Sequence, residues 1–309
     1  MEELIPATII TGYLGAGKTT LVNHILEDLA DKRIAIIVNE LGEVGIDDRL
    51  IGNLVNGVMK LTKGCICCAA KNASEQALKE IAKLSREEKK IDRLIIETTG
   101  FASPAAILQM LRLNRDLRLA YEVDSVVCVV DSQNAPLYFS KSLESREQVS
   151  SSDLAVISKK GDLSQIADLV AGLNPTCEIL KWEEISPSRL LNRWTFREPA
   201  GLENPIHSHS HDEEIGAVVL ETMRKISKED LFVWLDENVR SLGASLLRCK
   251  GIVDVGGGRR LVVQGVRLSF ETEERGEKEN EPSGTTLVVI GLSLDGDSLK
   301  KSFAQIPSR

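Results

Sequence analysis

Gly12-Tyr13-Leu14-Gly15-Ala16-Gly17-Lys18-Thr19 spaces its glycines, lysine and threonine as a phosphate-binding loop does. In such a loop Gly12, Gly15, Ala16 and Gly17 turn successive backbone amides toward an anion, and Thr20, in the first helical turn, is expected to bind the nucleotide with them. Lys18 reaches the β and γ phosphates of a nucleotide, and the Thr19 hydroxyl is a ligand for Mg²⁺. The pattern needs an acid at the end of a neighbouring strand to hold the ion through water. Glu97 follows the apolar run Leu94–Ile96 and supplies it, with Asp131 as a competitor at the end of the next apolar run. Thr98-Thr99-Gly100 follows Glu97, so the Gly100 amide can sense a γ-phosphate. Lys18, Glu97 and Gly100 are therefore the candidate catalytic groups.

Two further constellations go beyond phosphate chemistry. Lys159-Lys160-Gly161-Asp162 resembles the guanine motif Asn-Lys-x-Asp, with Lys159 in place of Asn. Asp162 can accept from guanine N1 and N2, a donor pair that adenine lacks, while Lys160 lies along the ring. Gly64-Cys65-Ile66-Cys67-Cys68 brings together three thiols, soft ligands for Zn²⁺ and similar ions. Three ligands leave one position exchangeable, which suits transfer of a metal better than permanent storage. His207, His209 and His211 alternate with serine in a polar segment and form a weak collecting site for a divalent transition metal. His24 reads as structural, and the isolated Cys128, Cys177 and Cys249 read as core.

Elements that would position these groups follow from the apolar pattern. Strands are expected at Ala7–Thr11, Ile34–Asn39, Arg93–Glu97, Ser125–Asp131, Leu154–Ser158 and Cys177–Lys181. Helices are expected between them, at Thr19–Ala30, Ser74–Lys89, Pro104–Leu113 and Leu163–Gly172. Strands alternating with helices predict an α/β domain with a mostly parallel sheet over residues 1–196. Residues 197–212 read as a His-containing linker. Residues 213–309 read as a smaller α+β domain: a helix at Lys228–Ser241, strands at Leu246–Val253, Arg260–Gln264, Val266–Glu271 and Thr285–Leu292, a solvated charged loop from Glu271 to Ser283, and a closing helix at Ser298–Phe303.

The net charge of −8 disfavours a nucleic-acid partner, since a phosphate backbone attracts basic surfaces. No apolar run approaches the roughly 20 residues that span a bilayer, so no membrane association is expected. The N-terminus lacks a cleavable signal pattern, which points to the cytoplasm and to reduced thiols.

With these residues in view, the chain resembles the CobW family of P-loop GTPases, a metallochaperone branch. The resemblance covers essentially the whole chain. Its specific features are the phosphate loop, Asn39-Glu40-Leu41-Gly42-Glu43-Val44-Gly45-Ile46-Asp47, the segment Gly64–Cys68, Glu97–Gly100 and Leu247–Val253. It implies slow GTP hydrolysis with Mg²⁺, coupled to delivery of Zn²⁺ or Co²⁺ held by Cys65, Cys67 and Cys68. It also implies that Glu40 senses Mg²⁺ or the transition metal, and that the second domain engages a client metalloprotein or an enzyme of a metal-cofactor pathway. Oligomeric state does not follow from it. Two other readings stay open on the residues alone: a metal buffer or sensor whose nucleotide does not turn over, and an ATP-dependent small-molecule kinase.

Overall fold

The structure is a computed structural model that describes residues 4–29, 31–39, 58–63, 71–87, 91–191, 215–277 and 283–307, with backbone only at 39, 58–63 and 71–73. The chain divides into two compact units: Met1–Ala167 with Glu178–Trp194, and Asp168–Cys177 with Thr195–Arg309. The boundaries expected near residues 196 and 213 lie outside the described residues.

Among the described residues, the first unit is built around seven strands, β1 (Ile5–Thr11), β2 (Ile34–Asn39), β3 (Val58–Lys63), β4 (Arg93–Glu97), β5 (Tyr121–Asp131), β6 (Leu154–Ser158) and β7 (Glu178–Lys181). They lie in the order β3-β2-β4-β1-β5-β6-β7, and every pairing is parallel. The helices described between and after these strands are α1 (Lys18–Asp28), α2 (Lys71–Glu87), α3 (Ala105–Leu113), α4 (Arg115–Arg118), α5 (Ala135–Lys141), α6 (Leu143–Ser150), α7 (Leu163–Leu173), which from Asp168 on is counted with the second unit, and α8 (Pro187–Leu190). All five residues of β4 and all five of β6 are buried, as a parallel sheet covered on both faces requires. One buried cluster joins Leu21, Val22 and Ile25 of α1 to Ile10, Ile36, Ile95, Val127 and Val156 of the strands. Away from the phosphate loop, Arg93 and Asp124 form a buried ion pair, and Thr8 bonds both partners.

The second unit holds an antiparallel sheet of β8 (Ile215–Thr222), β9 (Leu246–Gly256), β10 (Arg259–Val266), β11 (Ser269–Gly276) and β12 (Thr285–Leu292), in the order β11-β10-β9-β12-β8. Cys249, Val253, Leu261, Val263, Leu287 and Val289 turn one face toward α9 (Lys228–Trp234) and α10 (Gly296–Ala304). There Trp234 packs edge-on to Phe303 and donates to Ser302 Oγ at 3.0 Å. This is the α/β domain followed by a smaller α+β domain that the sequence predicts.

Several elements differ from expectation. β3 and β8 were not anticipated. The single helix expected at Lys228–Ser241 is α-helical only to Trp234, then widens into a π-type turn at Leu235–Val239 and a 3₁₀ segment at Arg240–Ser245. That last segment breaks at Gly243, with φ +56° and ψ −122°. The charged stretch from Glu271, read as a loop, instead continues β11 to Gly276. Its glutamates are tolerated because β11 is an edge strand, where charge discourages further pairing. Glu274 is also neutralised by Arg259 and Lys228.

Candidate functional site

Every strand of a parallel sheet ends at the same edge, and the loops there carry the chemistry. β1 ends at Thr11, and the chain turns through Gly12 to Gly17 into α1. Gly12 has φ +140°, and a Cβ there would sit 2.3 Å from Val129 O, so position 12 excludes a side chain. Gly17 caps α1 at φ +102°, and no acidic residue occupies the first turn to oppose an anion. Lys18 Nζ donates to Gly12 O at 2.8 Å and to Tyr13 O at 3.1 Å, spanning the loop it is expected to serve. Burial pulls the Lys18 pKa below the usual lysine value, and the charge of Glu97 opposes that shift only in part.

The neighbouring β4 brings its last residue to the helix start. Thr19 Oγ1 donates to Glu97 Oε1 at 2.7 Å. Glu97 Oε2 is buried and has no partner among the described residues. A Mg²⁺-bound water fits that orphaned oxygen, and the Thr19–Glu97 pair is an oxygen-only donor set suited to the ion. Asp131 is committed elsewhere. Its carboxylate accepts from Gln133 N, Asn134 Nδ2 and Lys159 Nζ. Burial alone would raise its pKa, but the hydrogen bonds from Asn134, Lys159 and Gln133 outweigh it and hold the carboxyl below its usual range.

Beyond Glu97 the chain stays against the phosphate loop. Thr98 N donates to Ile10 O, and Thr98 Oγ1 donates to Thr11 Oγ1, both at 2.9 Å. Gly100 then approaches so closely that a Cβ would lie 2.7 Å from Leu14 N. Lys18, Thr19, Glu97 and Gly100 therefore gather around the ends of β1 and β4.

The loop after β6 adjoins the same turn. Ser158 Oγ donates to Ala16 O at 2.6 Å, a tie that sequence reasoning missed. Lys159 adopts φ +62° and pairs with Asp131 at 2.6 Å. The residue standing where the guanine motif has Asn thus anchors the loop to β5, while Ser158 anchors it to the phosphate loop. Lys160 and Asp162 are exposed. Asp162 Oδ1 accepts from Ser164 N and Gln165 N, so one oxygen caps the start of α7.

Glu40, Cys65, Cys67, Cys68, His207, His209 and His211 lie outside the described residues. The strands that lead into Glu40 and Gly64 are described, and they pair in parallel with Asn39 opposite Lys63. Among the described residues no three His, Cys, Asp or Glu side chains group as metal ligands. Cys128 and Cys249 are core residues, and burial pushes both thiols up to about 12, whereas Cys177, also expected in the core, is only partly buried just before β7. His24 is half-buried and packs against Trp182. Among the described residues no helix is long and apolar enough to cross a membrane.

Residues 6–181 match the CobW/HypB/UreG nucleotide-binding domain, and residues 215–306 match the cobalamin synthesis protein cobW C-terminal domain. The chain is 30% identical to the zinc chaperone YjiA of Escherichia coli, covering 97% of this chain and 98% of that protein. It is also 30% identical to a zinc chaperone CobW of Sinorhizobium, covering 93% of each. The crystal structure of Zn(II)-bound YjiA GTPase from E. coli superposes with a TM-score of 0.76 at 26% identity, covering 99% of this chain and all of that one. On two domain matches and a fold shared from end to end, the chain belongs to the CobW family of P-loop proteins.

Proposed function

We propose that this chain is a GTP-hydrolysing metallochaperone that takes up zinc through Cys65, Cys67 and Cys68 and releases it to a client protein. The observation that carries this reading is the side-by-side arrangement of β3, β2, β4 and β1. Their carboxyl ends lead, in that order, into the thiol segment, the Glu40 segment, Glu97–Gly100 and the phosphate loop. A γ-phosphate contact made at one loop can thus bias its neighbours without a long relay. The names of the relatives, zinc chaperones and a Zn(II)-bound GTPase, support the same cargo.

The phosphate loop binds the nucleotide through its amides, and Lys18 neutralises the β and γ phosphates. Thr19 and Glu97 would hold Mg²⁺, which supplies charge neutralisation at the transferred phosphoryl group. Glu97 is assigned to holding the ion, and no residue is assigned as general base. Turnover then comes mainly from positioning and is slow without a partner. The Gly100 loop and the Glu40 segment distinguish GTP from GDP, and the difference is passed to the thiols. His207, His209 and His211 collect metal ahead of them.

Only differential affinity shifts such an equilibrium. Zinc affinity, read by competition with a chelating dye, is therefore expected to be at least about tenfold tighter with a non-hydrolysable GTP analogue than with GDP, a coupling of about 1.4 kcal/mol. Equal affinity in the two states would overturn the coupling.

Base choice is tested at Asp162. Its carboxylate receives two guanine donors, whereas the amide in Asp162→Asn keeps one acceptor and turns a donor toward a donor. A hydrogen bond to a charged group contributes about 1.5–3 kcal/mol, so GTP affinity should fall by about 10–100-fold while weak ATP binding stays unchanged. Asn also caps helices well, so α7 should keep its start. Titration with fluorescent nucleotides separates the outcomes. A parallel loss for both bases would mean that Asp162 serves the fold alone.

A further inference from the structure

Behind the loop that follows β4 stands Gln148, on the last turn of α6, which no sequence motif singles out. It is 1% exposed. Its Nε2 donates to Gly100 O and to Ala102 O, each at 3.1 Å. Both partners are acceptors, which fixes the orientation of the amide. Turned over, it would set Oε1 against two carbonyl oxygens. Oε1 is itself buried without a partner among the described residues. An apolar side chain would avoid the cost of that orphan, so the two donated bonds are what the site gains from glutamine.

Those two carbonyls belong to the turn closed by Ala102 N donating to Thr99 O at 3.2 Å. The loop is therefore held from three directions. Thr98 ties it to the end of β1, Gly100 rests on Leu14 of the phosphate loop, and Gln148 grips it from the other side. Gln148 is fixed in its turn, because its own carbonyl accepts from Ser152 Oγ at 2.6 Å, and α6 begins at a Ser142 cap.

We propose that Gln148 is a positioning residue that presents the Gly100 peptide to the γ-phosphate and so sets how strongly the protein distinguishes GTP from GDP. The inference rests on the hydrolase reading above. Gln148 acts through the loop and has no assigned contact with nucleotide. A loop already in its binding arrangement loses no affinity to unproductive conformers, whereas a released loop binds with affinity reduced by its competent fraction. GDP has no γ-phosphate and gains nothing from the arrangement.

The test uses the full chain with Gln148→Met, which keeps the bulk without the donors, and Gln148→Ala. Fluorescent GDP and a non-hydrolysable GTP analogue report affinity, and single-turnover assays report hydrolysis. In Gln148→Met the expected result is a loss of about tenfold or more in analogue affinity and hydrolysis, with GDP affinity within about twofold of wild type. Equal weakening of both nucleotides, or no change in either, would overturn the proposal and leave Gln148 a packing residue. Unaltered GDP binding is also the check on folding, and Gln148→Met decides if Gln148→Ala does not fold. A wild-type protein that bound GTP but did not hydrolyse it would overturn the hydrolase reading, while the analogue-to-GDP ratio would still judge Gln148.

Discussion

Lys18→Ala is expected to lower single-turnover GTP hydrolysis by about 10²–10³-fold, the usual effect of removing one preorganised charge-stabilising donor. The lysine already spans Gly12 O and Tyr13 O within the loop. Burial depresses its pKa, which means that its charge is poorly solvated there. Phosphate oxygens restore the solvation that burial removes, so the amine and the nucleotide stabilise one another more than they would in water. The sign of the accompanying stability change separates this mechanism from misfolding. A lysine whose folded pKa lies below its unfolded value of 10.5 detracts from stability at pH values under the folded pKa, where it is charged. Removing it should therefore leave the melting temperature of the empty protein unchanged or slightly raised at neutral pH. The rise that GTP produces in the wild type should at the same time largely disappear. A Lys18→Ala protein that hydrolysed GTP at the wild-type rate would remove the phosphate loop from the chemistry altogether.

How much of this was legible in the sequence differs between elements for physical reasons. The phosphate loop, Glu97 and the strands β1, β2, β4, β5 and β6 were legible because a parallel strand buried on both faces reads as a continuous apolar run. β3 was not, since Val58-Met59-Lys60-Leu61-Thr62-Lys63, at the edge of the sheet, mixes polar and apolar residues and holds no continuous apolar run. β11 was cut short because charge at an edge strand looks like charge in a loop. At the site, groups that share a local motif could be picked out, and contacts made through the fold could not. Ser158 bonds a carbonyl 142 positions away, and Gln148 grips one 48 positions away. No spacing rule connects such partners. The Lys159–Asp131 pair shows the same limit: the sequence registers a missing Asn, and only the fold shows what the lysine does instead.

Cys67→Ser is expected to weaken zinc binding by about 100-fold and to erase its dependence on nucleotide. Structural zinc sites with four ligands bind with about 10–16 kcal/mol in all, so one thiolate accounts for about 3 kcal/mol, equivalent to about 100-fold. Serine keeps the size and loses the soft anionic donor, because its hydroxyl is not ionised near neutral pH as a metal-bound thiol is. The two thiols that remain, Cys65 and Cys68, leave a site short of ligands, and His207, His209 and His211 then contribute a weak background. That background should not respond to GTP, since the histidine tract contains none of the nucleotide motifs. Chelator competition at fixed pH, with GDP and with the analogue, gives four affinities whose pattern is decisive. Wild type should show two different values, and Cys67→Ser two equal, weaker ones. If the mutant kept both the affinity and the nucleotide effect, the metal would be held away from the thiols. If wild type bound zinc through Cys67 with no nucleotide effect, the protein would be a buffer whose GTPase cycle serves another end.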